Sequence, residues 1–236
     1  MAHTPTKYQK FWAGKTSAMG RGTTMEFYNL VAEEIRLLCG GQIPRKVLEL
    51  GCGTGLLYRA IEVAPEDYLG VDFSGSMLGI FQGRHPEVHL IETEASEYVD
   101  ERRTYDLIFS HDVVAHFSPA MLDRHFQNAR KMMHPGSLLI CAAIPWKELR
   151  RGYDRGFWFA GVKPSWGRWA KDKVRRLMGK GIMGRWYRPD EVRRIAAKNG
   201  LQSKFHGSLS HPYRFHAVLW KGGRESISEM RPTGKP

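Results

Sequence analysis

A short apolar segment, KVLEL (46–50), leads directly into the glycine-rich sequence GCGTG (51–55). Because glycine adopts positive φ angles and lets a ligand approach the backbone, this combination predicts a strand-to-helix turn that cradles a small molecule. The spacing departs from the dinucleotide pattern G-x-G-x-x-G, since position 56 is leucine. It fits a nucleoside without a pyrophosphate better, and a turn that holds no ligand is the alternative.

Strand and helix patterns alternate through the first two thirds of the chain. Four more apolar strands are predicted at 67–72, 87–93, 105–110 and 137–144. Repeated units with nearly continuous apolar strands predict a parallel sheet covered by helices on both faces. The last of them, SLLICAAI, is expected at the sheet centre. After a helix that begins at Pro189, the runs LQSKFHGSL and YRFHAVLWK are predicted to pair antiparallel at the sheet edge.

Charge divides the chain unevenly. The 236 residues include 36 Lys or Arg and 24 Asp or Glu, a net charge of +12. Residues 145–200 alone hold 16 basic against 5 acidic residues, with five of the seven tryptophans, whereas residues 1–144 hold 14 against 17. This composition marks a separate structural unit, and we expect its partners to be anionic molecules or surfaces.

Several classes of protein are disfavoured by composition. The longest apolar run, 138–144, is far shorter than the roughly 20 residues that a membrane-spanning helix needs. The N-terminus lacks the apolar core of a signal peptide. The three cysteines, Cys39, Cys52 and Cys141, form neither a disulfide framework nor a metal-binding pattern. We therefore expect a cytoplasmic protein without a metal site.

Four sequences, VLELGCGTG, GVDFSGSM, YDLIFSHDVVAHF and MMHPGSLLI, occur in an order and spacing that resemble the class I S-adenosylmethionine-dependent methyltransferases. The resemblance implies a Rossmann-like α/β fold whose seven-stranded sheet has an antiparallel last strand. It suggests an N-terminal helical cap (1–44), a cofactor-binding domain (45–144 and 189–221), a basic Trp-rich lid or substrate-binding insertion (145–188) and a flexible tail (222–236).

The resemblance also implies cofactor-binding residues at the ends of the first four strands: Glu49, Gly51, Gly53, Gly55, Asp72, Phe73, Met77, Glu94, Ala95, Ser110 and His111. The glycines would line the methionine and ribose of S-adenosylmethionine, and Asp72 would accept the ribose hydroxyls. Phe73 and Met77 would pack near the adenine, whose edge Glu94 and Ala95 would read. Glu49 would order the loop or bind the amino group.

Two histidines follow the fourth strand, where cofactor and acceptor would meet. His111 and His116 are candidate general bases, because an imidazole pKa near 6.5 suits proton transfer at neutral pH. A hydrogen-bonding role inside the loop is the alternative for His116. The family usually has a hydrophobic-Glu-His sequence here, but this chain has Val114-Ala115-His116, so no role of that Glu carries over.

The candidate substrate-binding residues are Tyr8, Trp12, Arg21, Trp146 and Tyr213. Within the insertion, residues 164–178 form a basic amphipathic pattern that is typical of contact with an anionic membrane surface or an anionic group. Simple packing of its tryptophans on the core and binding of nucleic acid are alternatives.

The sequence therefore predicts an S-adenosylmethionine-dependent methyltransferase that modifies oxygen or nitrogen of a small-molecule, glycan or lipid-type acceptor. The acceptor is expected to be anionic or associated with a membrane, to which the cytoplasmic enzyme would bind peripherally. A nucleic-acid methyltransferase and a non-catalytic, cofactor-binding regulatory subunit are the alternative hypotheses.

Overall fold

The structure is a computed structural model that describes residues 24–155 and 184–222. Its strands are β1 (Val47–Leu50), β2 (Tyr68–Asp72), β3 (His89–Glu92), β4 (Tyr105–His111), β5 (Met133–Pro145), β6 (Leu201–Gly207) and β7 (Arg214–Lys221). The α-helices of the described ranges are α1 (Met25–Leu38), α2 (Leu56–Ile61), α3 (Gly75–Arg84), α4 (Pro119–Lys131), α5 (Arg150–Asp154) and α6 (Pro189–Lys198).

The strands form one seven-stranded sheet in the order β3-β2-β1-β4-β5-β7-β6. Strands β1 to β5 pair in parallel, and β7 pairs antiparallel with both β5 and β6. This arrangement confirms the predicted α/β fold with an antiparallel last strand and the predicted hairpin at one edge.

Two details of the predicted fifth strand are wrong. The central strand is β4, and β5 lies beside it, because the β6–β7 hairpin adds only two strands beyond β5. Strand β5 also begins earlier than residue 137. Met133 already pairs with Tyr105, and a register shift then accommodates the His134-Pro135-Gly136 segment. The turn-forming sequence therefore produces an irregularity within the strand, and helix α4 ends at Lys131.

Local sequence explains where the helices that flank the site begin. The Ser118 hydroxyl accepts a hydrogen bond from Met121 N (3.2 Å), and Pro119 occupies the first position of α4. Both features stabilise a helix N-terminus, whose first amides lack partners within the helix. Pro189 has the same place in α6, where Glu191 Oε2 accepts from Arg188 N (2.9 Å).

The sheet separates two apolar clusters. On one face, Val31 and Ile35 of α1 pack with residues of the central strands such as Leu107. On the other face, Phe126 of α4 and Val192 of α6 pack with residues that include Ile108. Burial of both faces accounts for strands that are apolar along nearly their whole length. None of the helices in the two described ranges is long and apolar enough to cross a membrane.

Two residues other than glycine have a left-handed backbone conformation at the carboxyl edge of the sheet. Asp112, directly after β4, has φ 60°, and Ala143, within β5, has φ 58°. The β5–β7 register shifts between Cys141 and Ile144, so Ala143 lies in an irregularity of the ladder. A non-glycine residue in this conformation costs about 1 to 2 kcal/mol. The surrounding contacts must therefore hold both residues in place.

Ala143→Gly tests this strain, with the adjacent Ala142→Gly as the matched control. Both alanines are fully buried in β5, but only Ala143 has positive φ. We expect Ala142→Gly to lower the free energy of unfolding by about 1 to 2 kcal/mol, through lost burial and added chain entropy. Ala143→Gly should stay within about 1 kcal/mol of wild type, because relief of strain offsets that loss. Equal losses in urea denaturation would contradict the assignment of strain.

Candidate functional site

The glycine-rich turn lies at the carboxyl end of β1. Gly51, Gly53 and Gly55 all have positive φ (89°, 54° and 77°). A Cβ atom on Gly51 would lie 2.3 Å from a methyl carbon of Val113, and one on Gly55 would lie 2.5 Å from the Phe81 ring. Glycine is therefore required at these two positions by both backbone conformation and close packing.

Asp72 ties the end of β2 to this turn. Its side chain is 7% exposed, and its two oxygens accept from Gly53 N and from Ser74 N, each at 2.9 Å. Burial raises the pKa of the Asp72 carboxyl, and these backbone hydrogen bonds oppose the rise. Each oxygen retains a further lone pair that a ligand hydroxyl could use.

Glu49 lies beneath the turn as a fully buried carboxyl group. The Tyr68 hydroxyl donates a hydrogen bond to it. Burial raises the pKa of Glu49 to about 8; the Tyr68 hydrogen bond opposes the rise, and the nearby charge of Asp72 adds to it. Glu49 is therefore mostly protonated at neutral pH in this structure.

The turn after β3 is held by helix α4. His125 Nδ1 donates to the carbonyl oxygen of Ala95 (3.3 Å), and the Asn128 amide donates to that of Ser96 (3.1 Å). The Glu94 carboxylate accepts a hydrogen bond from Ser96 N (3.0 Å). The predicted Glu94-Ala95 pair thus occupies an ordered turn at the same edge as Asp72, and His125 is a supporting residue that the sequence did not reveal.

The predicted adenine contacts begin the next helix. Phe73 is half-buried directly after Asp72, and Met77 is buried in the first turn of α3. Ser110, also predicted, is fully buried at the end of β4. These three residues therefore lie on the elements that surround the turn.

His111 is the last residue of β4, and His116 ends the 3-10 turn that follows. Burial lowers the pKa of His111 to about 4, and burial also lowers the pKa of His116. The charge of Asp112 raises both values, whereas that of Arg214 lowers them. His111 Nε2 is buried without a hydrogen-bond partner among the described residues. Its imidazole is therefore neutral at neutral pH.

A series of neighbouring aromatic and imidazole rings connects His111 with Tyr153. The Phe27 ring of α1 lies 6.3 Å from His111 and 5.1 Å from His211, measured between ring centroids. His211 lies 5.6 Å from Tyr213, which in turn lies 4.7 Å from Tyr153 of α5. The predicted substrate residue Tyr213 is thus connected to His111 through Phe27 and His211.

Trp146, also predicted to bind substrate, packs against the apolar core. Its ring packs edge-on against Phe215 at 5.9 Å, in the cluster on the α4 and α6 face. Its backbone pairs with Tyr187, whose hydroxyl donates to the Phe117 carbonyl oxygen (2.8 Å). Both ends of the predicted insertion are therefore anchored at the carboxyl edge. The remaining predicted substrate residues, Tyr8, Trp12 and Arg21, and the segment 164–178 lie outside the described residues.

The structure adds a polar group that sequence reasoning missed. Asp112 forms an ion pair with Arg214 of β7, and Glu34 of α1 accepts a hydrogen bond from His216 Nε2 of the same strand (3.3 Å). One signal was available, because Arg214 and His216 alternate with apolar residues in an otherwise buried strand. Their partners, however, lie about 100 or more positions away.

Across the described ranges, no group of three His, Cys, Asp or Glu side chains could hold a metal ion.

Residues 47–136 match a family model described as a methyltransferase domain. Ubiquinone biosynthesis O-methyltransferase from Chelativorans sp. is 25% identical over 170 residues, which cover 67% of this chain and 59% of that protein. The protein of the same name from Mesorhizobium japonicum is 27% identical over 103 residues, 42% of this chain and 41% of that protein. The chain thus spans less than two thirds of the length of these relatives.

Solved structures share the fold at low identity. The CcbJ methyltransferase from Streptomyces caelestis has a TM-score of 0.61 at 17% identity and covers 92% of this chain and 98% of its own. Magnesium protoporphyrin IX methyltransferase from Synechocystis, with bound S-adenosylmethionine, scores 0.60 at 12% identity, with coverages of 93% and 100%. An amino pentose methyltransferase from Micromonospora echinaspora scores 0.59 at 15% identity, with coverages of 94% and 99%.

The sheet order and these likenesses define the fold, a Rossmann-like seven-stranded sheet that solved methyltransferases share. Residues 47–136, which match the methyltransferase-domain model, include the glycine turn, Asp72 and the end of β4.

The raised pKa of Glu49 predicts a pH-dependent effect of Glu49→Gln on stability. Between about pH 4.5 and pH 8 the folded protein retains the Glu49 proton and the unfolded chain has lost it, so wild-type stability falls as pH rises. Glutamine removes this dependence. At pH 8 we expect Glu49→Gln to have a higher free energy of unfolding than wild type, by up to about 4 kcal/mol. At pH 4.5 the two proteins should differ little.

Urea denaturation at pH 4.5, 6 and 8 measures this effect, with the exposed Glu101→Gln as control. A Glu49→Gln variant that is less stable than wild type at pH 8, or equally shifted at every pH, would show that the buried carboxyl is ionised.

Proposed function

We propose that this chain is an S-adenosylmethionine-dependent methyltransferase that modifies oxygen or nitrogen of a small-molecule acceptor. The observation that carries the proposal is the buried Asp72 carboxylate bridging the glycine turn and the start of α3. When bound, S-adenosylmethionine supplies a methyl group activated by a positively charged sulfur.

The residues present fit this cofactor. The free lone pairs of the two Asp72 oxygens suit the adjacent hydroxyls of a ribose. The turns after β1 and β3 offer backbone groups on either side of Asp72, as the predicted roles of Gly53 and Ala95 require. Glu49, protonated in the structure described here, would ionise readily beside the cationic amino group of a bound ligand, because an adjacent positive charge lowers a carboxyl pKa.

His111 is the proposed base. Its imidazole is neutral and Nε2 makes no hydrogen bond within the described residues, so in the tautomer protonated at Nδ1 the Nε2 atom can accept a proton from the acceptor. A pKa of about 4 makes it a weak base in the structure described here. This is sufficient for a hydroxyl acceptor, because an oxygen that gains a third bond becomes strongly acidic. His116 remains a second candidate, since it shares the electrostatic environment of Asp112 and Arg214.

Oxygen is the favoured acceptor atom, since the curated relatives are named as O-methyltransferases, and small molecules are favoured by the names of the structural neighbours. An anionic, glycan or lipid-type acceptor and peripheral membrane contact by a cytoplasmic enzyme rest on the basic composition of 145–200. The described flanks of that segment pair their charges, as in Arg188 with Glu148 (3.4 Å) and Arg185 with Glu191 (3.5 Å). Residues 156–183, which lie outside the described residues, hold seven basic residues and one acidic residue.

Asp72→Ala tests the cofactor site. Loss of hydrogen bonds between a carboxylate and two hydroxyls should weaken S-adenosylmethionine binding about 30-fold or more in isothermal titration calorimetry. Glu92→Ala is the matched control, because Glu92 pairs with Asp72 in the adjacent strand at the same edge and has an exposed side chain. Equal affinities of wild type and Asp72→Ala would overturn the proposed ribose contact.

His111→Ala and His116→Ala test the base. Removal of a general base should lower kcat about 100-fold, while the affinity for S-adenosylmethionine stays within a fewfold of wild type. Release of S-adenosylhomocysteine with a panel of hydroxylated and aminated small molecules measures turnover, and the partly exposed His134→Ala is the control. Undiminished turnover by the double variant His111→Ala/His116→Ala would exclude both histidines as bases.

A further inference from the structure

The backbone turn that carries His111 is held in an unusual conformation. Asp112 has φ 60°, and its N–H donates to the carbonyl oxygen of Ala142 in β5 (3.1 Å). Aspartate is one of the few residue types that enter the left-handed region with modest cost. The direction of the chain between His111 and the following 3-10 turn, Val114–His116, depends on this single residue.

Arg214 holds this turn from the opposite strand. Its side chain is 6% exposed and donates from Nη1 to the Asp112 carboxylate and to the carbonyl oxygen of Ala143 (2.9 Å). A buried guanidinium is costly unless it is paired and hydrogen-bonded. Its Nε lacks a hydrogen-bond partner among the described residues, so the site tolerates an incompletely satisfied cation at this position.

A second contact fixes the other side of Ala143. Its N–H donates to His216 Nδ1 (3.2 Å), and His216 Nε2 donates to Glu34 (3.3 Å). Burial of Glu34 opposes ionisation, but hydrogen bonds from His216 and Ser210 outweigh it and lower the Glu34 pKa to about 2. Arg214 and His216 are two residues apart in β7, on the same face of the strand. Together they hold both backbone groups of the strained Ala143.

We propose that Arg214 is a positioning residue, which through Asp112 and Ala143 holds the turn after β4 so that His111 Nε2 stays free to face the methyl acceptor. The inference rests on the proposed function, since the orientation of His111 matters for turnover only if an acceptor binds beside it. It assigns a role in the site to a strand residue 102 positions away from Asp112 in the sequence.

Several charged and titratable groups surround His111 and enter the test. Asp112 belongs to the same turn, Arg214 and His216 come from β7, and His211 comes from the connection between β6 and β7. From helix α1, the uncharged ring of Phe27 lies beside His111. Tyr28 of the same helix has a raised pKa, because it is buried and lies near the charge of Asp112. Removal of the Arg214 charge leaves Asp112 unopposed beside the imidazole, which favours the protonated form of His111.

Histidine-ring NMR on the full chain tests the proposal directly. In Arg214→Met we expect the His111 pKa to rise by about one unit and its ring resonances to shift at a pH where it is neutral. The Asp112 side chain is 47% exposed, so this variant does not bury an unpaired carboxylate. Arg194→Met, which removes an exposed arginine paired with Asp190 at 3.6 Å, is the control and should leave His111 unchanged.

Kinetics supply the second readout. Arg214→Met should lower kcat about 10- to 100-fold while the calorimetric Kd for S-adenosylmethionine stays within threefold, and Arg214→Lys should recover part of the loss. An unchanged His111 titration, or losses in cofactor affinity and melting temperature that match the loss in kcat, would overturn the positioning role. Failure of wild type to bind S-adenosylmethionine would instead overturn the proposed function, and the NMR titration would still decide the inference.

Discussion

The buried carboxylate of Asp72 is the interaction on which the site depends. A charged group at 7% exposure is stable only when hydrogen bonds replace its lost water, and Gly53 N and Ser74 N supply them. The same two bonds join the ends of β1 and β2 and fix the start of α3. The glycine turn and the proposed ribose-binding group are therefore one unit, which the parallel pairing of β1 with β2 places at the carboxyl edge of the sheet.

Much of this unit could be predicted from local sequence. Apolar strands of four or five residues, a turn that requires positive φ and an acidic residue at a strand end are short-range signals, and Gly51, Gly55 and Asp72 lie where those signals placed them. The pairing of Asp112 with Arg214 has no such signal. It depends on the insertion of β7 beside β5, which only the complete sheet order determines. The early start of β5 was missed for a related reason, since Met133 pairs with Tyr105 despite the adjacent proline and glycine.

Polar groups on β7 explain how the edge of the sheet holds a strained conformation. Ala143 and Asp112 have positive φ, and each is fixed by hydrogen bonds to a neighbouring strand. Strain of this kind persists where the surrounding structure determines it, and it often occurs at functional sites. The buried pair of Glu34 and His216 extends the same network to α1, so the helix that brings Phe27 to His111 is fixed to the strand that brings Arg214.

S-adenosylmethionine is proposed to bind at one edge of the sheet, around Asp72. Hydrogen–deuterium exchange of the full chain, with and without S-adenosylmethionine, tests this binding site. We expect slower exchange confined to the turns after β1 to β4, namely 50–55, 72–77, 93–96 and 110–116. Unchanged exchange in these four turns at saturating cofactor, or protection elsewhere in their place, would contradict it.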